Sequence, residues 1–247
     1  MMLSVVFTTF LSSQSQETYR PLLKDGKVWN IEYTVGGLKT VQMTYFIEGD
    51  TVVDGAKCFK MYTTMTDTQS GETRQGTQPI VMLEADRQVW EVLEKGDIRR
   101  RILFDFNLSE GSSVSYGDSP ELELCRIDSV EAGGRLFRRL TFRGNVDGME
   151  ATQHWIEGVG SEKGPLTPVV IGSVGNNMRL VSCYEDGECI FTADDFEAPP
   201  VVSRMERTRH DADDRAVNLY DLQGRRLSGQ LTKKGVYIKD GNKMISR

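Results

Sequence analysis

The sequence is poor in histidine: His154 and His210 are the only two in 247 residues. A metal centre or a proton relay built from several imidazoles is therefore hard to assemble. Basic excess is also missing. The formal charge is −6, which argues against a general affinity for nucleic acid or an anionic membrane surface. Long apolar runs are lacking after the first dozen residues, so no transmembrane segment is expected in a mature chain. Helix signals are missing too. No window combines a 3.6-residue apolar period with caps at its ends. The four cysteines, Cys58, Cys125, Cys183 and Cys189, contain no CxxC pair of the metal or redox kind. The glycine-rich stretch Gly158-Val159-Gly160-Ser161-Glu162-Lys163-Gly164 matches neither GxGxxG, a Walker loop nor GxSxG, and reads as a tight loop shaped by its glycines. No cofactor and no metal are expected on this reading.

What the chain does have is alternation. Trp29, Ile31, Tyr33 and Val35 alternate with polar residues, Gly36-Gly37 follows as a turn, and Val41, Met43, Tyr45 and Ile47 alternate again. Further strands run from about Cys58 to Met65, after Asp54-Gly55, and from Val89 to Leu93 and Ile98 to Phe104 around Lys95-Gly96-Asp97. Leu122 to Val130 and Leu136 to Arg143 flank Gly133-Gly134, and Met149 to Glu157 and Arg179 to Phe191 complete the series. Short strands at this spacing predict a mostly-β protein, an antiparallel barrel or sandwich.

Composition divides the chain. Residues 1–13 are apolar, end in small residues and read as a signal peptide, although the usual positive start is missing. No cysteine follows that run to serve as a lipid attachment site. A β-rich body is expected over 14–198, a polar linker over 199–215, and a small β-hairpin tail over 216–247.

Candidate chemistry is sparse. His154 shares a strand face with Glu150, but two ligands do not make a site; a structural or surface histidine is the simpler reading. Trp29, Trp90 and Trp155 could stack sugars, yet each stands in an alternating apolar row and fits a core better. Cys183 and Cys189 are a disulfide candidate. A three-residue loop would set them opposite each other, whereas a two-residue Asp-Gly turn would set them on opposite faces and forbid the bond. Asp211, Asp213 and Asp214 lack the glycine and terminal glutamate of a calcium loop. Carboxylate pairs such as Glu91 and Glu94, or Glu121 and Glu123, cannot be ranked as hydrolytic sites from sequence.

Two stretches carry a resemblance. Leu219-Tyr220-Asp221-Leu222-Gln223-Gly224-Arg225-Arg226-Leu227 and Lys234-Gly235-Val236-Tyr237-Ile238-Lys239-Asp240-Gly241 resemble the end of a type IX secretion sorting domain of Bacteroidota. The Pro-Asn-Pro-like opening strand of that domain is not present here. In the body, Pro21 to Trp29, Gly49 to Lys57, Phe104 to Leu108 and Trp155 to Ser161 resemble a recurrent secreted domain of the same group with no known activity. The resemblance implies export to the cell surface or medium, with the periplasm as second choice, and contact between the tail and secretion machinery. The expected function is a non-catalytic binding or adhesion module for a glycan or surface protein. The alternatives are a secreted carboxylate-dependent hydrolase acting on glycans and an envelope scaffold component.

Overall fold

The computed structural model describes residues 19–95, 97–116, 121–146, 148–169 and 177–201, together with four strands of the tail. The chain forms two compact units, Met1–Pro200 and Val201–Arg247. The first 18 residues, His210 and the three aspartates 211, 213 and 214 lie outside the described residues.

The first unit is built from β1 (Lys27–Val35), β2 (Lys39–Val53), β3 (Ala56–Asp67), β4 (Thr73–Gln75), β5 (Ile80–Ala85), β6 (Gln88–Lys95), β7 (Asp97–Asp105), β8 (Ser113–Val114), β9 (Leu122–Ala132), β10 (Arg135–Val146), β11 (Met149–Ile156), β12 (Gly160–Ser161), β13 (Asn177–Glu185) and β14 (Glu188–Thr192). One sheet runs β14-β13-β1-β2-β3-β5-β6-β7, with β4 on β3, and the second runs β12-β11-β10-β9-β8. Every pairing is antiparallel, as the alternation predicts. A 3₁₀ turn, η1 (Ala193–Glu197), follows β14. In the second unit, β15 (Leu219–Asp221), β16 (Arg226–Leu227), β17 (Gly235–Lys239) and β18 (Asn242–Ser246) form an antiparallel sheet ordered β16-β15-β17-β18.

Tight turns set the registers. Asp54-Gly55 and Asp186-Gly187 both adopt left-handed φ at both positions, the two-residue geometry whose twist matches the flanking strands. The second of these turns decides the disulfide question. Glu185 pairs with Glu188 across it, Tyr184 then faces Cys189, and Cys183 faces Phe191. Cys183 is buried, Cys189 is exposed, and both are free thiols, so the disulfide candidate is not formed. The Asp86-Arg87 turn between β5 and β6 does the same work without glycine, with φ of 50° and 60°. Its carbonyls are held from outside: Phe106 N–H donates to Arg87 O at 2.9 Å and Asn107 Nδ2 donates to Asp86 O at 2.5 Å.

One apolar core takes side chains from both sheets, including Trp29, Ile31, Met61 and Phe104 from the first and Leu124, Leu140, Phe142 and Trp155 from the second. Trp155 meets Phe142 at 4.4 Å and Phe104, edge-on, at 5.1 Å between ring centres. Its indole N–H donates to Pro168 O at 2.7 Å, and that of Trp29 donates to Val159 O at 2.7 Å. Rings buried this way, with their polar atoms satisfied, typically cost about 3–5 kcal/mol to remove.

The segment before β1 is part of this body. Leu22 and Leu23 are buried. Glu84 accepts hydrogen bonds from Tyr19 Oη at 2.5 Å and from the backbone N–H groups of Leu22 and Leu23 at 2.9 and 2.7 Å. Lys27 is buried as well, and its Nζ donates to Pro21 O at 2.8 Å and Gly158 O at 2.5 Å. Burial raises the Glu84 carboxyl above its usual range and lowers the Lys27 ammonium below its own.

Candidate functional site

Alternation along β10 sends Arg139, Thr141 and Arg143 to one face of the second sheet. Their cross-strand partners are Asp128 and Arg126 on β9 for the first two, and His154 and Thr152 on β11 for the last two. A bulge on β9 adds one more group. Thr141 pairs with Arg126 and Phe142 with Leu124, so Cys125 is the unpaired extra residue. Cys125 and Arg126, neighbours that a regular strand would send to opposite faces, therefore both line one cleft. The thiol of Cys125 donates to Thr141 O at 3.2 Å. The cleft has a volume of about 360 Å³ and is also walled by Thr152, His154, Glu197 and Ala198.

The last two of these come from the end of η1 and from the residue after it. Asp195 stabilises the start of that turn, accepting from Thr192 N–H at 2.7 Å and Thr192 Oγ1 at 2.8 Å. Arg139 holds the other end of the turn. It is buried, forks onto Asp128 at 2.9 and 3.0 Å, and donates to Phe196 O at 2.6 Å and Ala198 O at 3.0 Å. Asp128 Oδ2 also forms an ion pair with Arg126 Nε at 2.9 Å. Arg143 is exposed and makes no ion pair with a described residue.

His154 is buried, with Nδ1 3.0 Å from Thr141 Oγ1. Its Nε2 faces Glu162 Oε1 at 3.9 Å and Glu197 Oε1 at 3.7 Å. One ligand atom from each of the three residues lies within 4.8 Å of the others. Burial and the charge of Arg139 lower the His154 imidazole below its usual value, so it is neutral at neutral pH. Burial pushes the Glu162 carboxyl up to about 7, with the Glu197 charge adding to the effect.

Glu162 arrives here through the glycine loop. Gly158, Gly160 and Gly164 all have positive φ, and a Cβ on Gly164 would lie 2.6 Å from Ile31 Cδ1. Leu180 N–H donates to Glu162 O at 2.7 Å, which fixes the backbone just beyond β12. The loop thus packs against β1 and β13 and delivers a carboxylate beside β11.

Alternation alone pairs His154 with the wrong carboxylate. Glu150 lies four residues back on the same strand, roughly 13 Å away at the rise of an extended chain, and is exposed. Glu162 and Glu197 escape a reading of the sequence, because nothing local marks them. The tryptophans are not a sugar platform. Trp29 and Trp155 are fully buried with their N–H groups engaged, and Trp90 is half-buried in a separate small cluster with Val53, Cys58, Leu83 and Val92. A second, more apolar cleft of about 420 Å³ lies between Tyr19, Leu23, Phe59 and Arg87, and no tryptophan lines either cleft.

Among the described residues, no helix is long and apolar enough to cross a membrane. No family model matches the chain, and no curated protein does. Among solved structures, a Bacteroides fragilis protein provisionally described as exported, with a YmcC-like fold, is similar at 13% identity and a TM-score of 0.32, covering 70% of this chain and 94% of that one. A likeness of that degree carries no argument about what this chain does.

Proposed function

We propose that this chain is an exported, non-catalytic β-rich module that binds a small polar ligand bearing an anionic group, such as an acidic sugar, in the cleft on the second sheet. The observation that carries the reading is the cleft wall. Arg126, Arg139 and Arg143 converge there with Thr141, Thr152 and His154 on a space of about 360 Å³, within the range of small-ligand sites. Arg126 and Arg139 share Asp128, which offsets one of their two charges and holds both guanidinium groups in place, while Arg143 is exposed with no ion pair to a described residue, so Arg143 is the cleft cation freest to meet a carboxylate or sulfate. Export is supported by the apolar, signal-like residues 1–13, and the tail is proposed to address the chain to secretion machinery. The hydrolase alternative loses its stacking surface, since no tryptophan lines the cleft.

Binding is tested with the full chain against uronic-acid and neutral oligosaccharides of equal length, followed by calorimetry. Acidic sugars are expected to bind, and Arg143→Ala, on an exposed side chain, to weaken binding at least about tenfold, the scale of one charged hydrogen bond. Equal binding of neutral and acidic sugars, or no effect of Arg143→Ala, would refute the assignment. Finding the unprocessed chain in the cytosol of the source cells would refute export.

A further inference from the structure

We infer that His154, Glu162 and Glu197 form a binding site for one first-row divalent cation, with zinc the best match to one imidazole and two carboxylates. The inference does not depend on the sugar reading, because Arg143 is not among the three residues and Glu162 lies outside the lining of the cleft.

Three observations converge. First, the imidazole is buried and oriented. Thr141 Oγ1 sits 3.0 Å from Nδ1, the arrangement in which a second group fixes a ligating histidine and leaves Nε2 as the donor atom. Second, Nε2 has no hydrogen-bond partner among the described residues. Glu197 at 3.7 Å and Glu162 at 3.9 Å are too far for a hydrogen bond, yet both are turned toward it. Third, the gap has the size of an ion. Zinc bonds of about 2.0–2.2 Å in tetrahedral geometry place ligand atoms roughly 3.4 Å apart. The two imidazole–carboxylate spacings, 3.7 and 3.9 Å, need to shrink by about 0.3–0.5 Å, the two carboxylates already lie within 4.8 Å of each other, and the Glu197 side chain, 82% exposed, is free to close the remainder.

Charge around the site is compatible with a cation. Arg139 is the nearest buried positive group, and its charge is met by Asp128 and by two carbonyl oxygens. Lys163 points away to Asn177 Oδ1 at 2.9 Å. Three protein ligands would leave a fourth coordination position for water or a ligand oxygen.

The test uses the full chain, stripped with chelator, in a Cys125→Ser, Cys189→Ser background so that exposed thiols do not compete. Zinc chloride is titrated calorimetrically into this parent and into its Glu197→Gln and His154→Asn derivatives. The parent is expected to take up at least one equivalent, Glu197→Gln to bind that equivalent at least about tenfold more weakly, and His154→Asn to lose it. Asparagine keeps a polar group beside Thr141, and a matching melting temperature shows that the variant is folded. If the histidine variant melts early, Glu197→Gln alone decides between the two outcomes, because its exposed side chain can be changed without disturbing the core. No uptake by the parent, or unchanged uptake by Glu197→Gln, overturns the site.

Discussion

Removing the guanidinium of Arg139 should loosen the whole cap over the cleft, and the size of the effect can be worked from its contacts. Four hydrogen bonds leave with it, two to Asp128 and one each to Phe196 O and Ala198 O. Both charged partners are nearly buried, with side-chain exposures of 7% and 10%. Breaking a buried pair by deleting one partner costs about 3–5 kcal/mol, because the other charge stays uncompensated. Asp128 keeps its ion pair with Arg126 Nε at 2.9 Å, which argues for the lower end, about 3 kcal/mol. In a unit of this size that corresponds to a drop in Tm of roughly 6–12 °C. Arg139→Ala should also release η1, so that amides of Ala193–Glu197 exchange faster with deuterium and zinc binding weakens as Glu197 loses its position. In an Asp128→Asn background the same substitution should cost less, with a coupling of about 1–3 kcal/mol. Thermal melts of the three variants measure this. A Tm within about 2 °C of wild type for Arg139→Ala, with no change in exchange at η1, would show that the fork does not anchor the cap.

Three other outcomes follow from the same structure. A thiol reagent at neutral pH should label Cys125 and Cys189 in the folded chain, and Cys58 and Cys183 only after unfolding; burial pushes the Cys183 thiol up to about 12, and labelling of Cys183 as fast as Cys189 would contradict the register of the last hairpin. Because burial raises the Glu84 carboxyl above its unfolded value of about 4.3, the folded state holds that proton more tightly, so stability should fall as pH rises from about 4.3 through the folded value; Glu84→Gln should lose this decline, and parallel Tm-versus-pH curves would refute it. Gly144→Ala should cost about 1–3 kcal/mol in denaturant titration, since its Cβ would meet Leu122 Cδ2 at 2.5 Å and Glu121 O at 2.7 Å; an unchanged midpoint would mean that β9 gives way freely.

Much of the strand layout was legible because it is local. Trp29 and Ile31 face the core as their alternation requires, and Gly36-Gly37, Asp54-Gly55 and Gly133-Gly134 mark hairpins because each needs left-handed backbone. β5 was missed for the converse reason: its turn is made by Asp86 and Arg87, which glycine-based reading passes over. The cleft was illegible for a different one. A bulge at Cys125 reverses the facing of its neighbour, and no period announces where an extra residue falls. Glu162 and Glu197 reach His154 through a glycine loop and an arginine fork, both of which act across the tertiary structure. The Cys183 and Cys189 pair turned on whether the loop had two residues or three, a choice that sequence left open and the Glu185–Glu188 pairing decides.

The pairing of β1 with β13 has a consequence in time. Residue 27 sits beside residue 185, and β1 lies between that distant strand and its local neighbour β2. At about 5–20 residues per second, the far partner leaves the ribosome roughly 10–30 s after β1. Until then Trp29 and Ile31 lack one wall of their core, and one edge of β1 is open. Non-local closure of this kind folds slowly and keeps a nascent chain loose. A central strand that waits for its far partner until nearly the whole first unit has been made leaves an open edge on the nascent chain, and a holding chaperone would have to cover it.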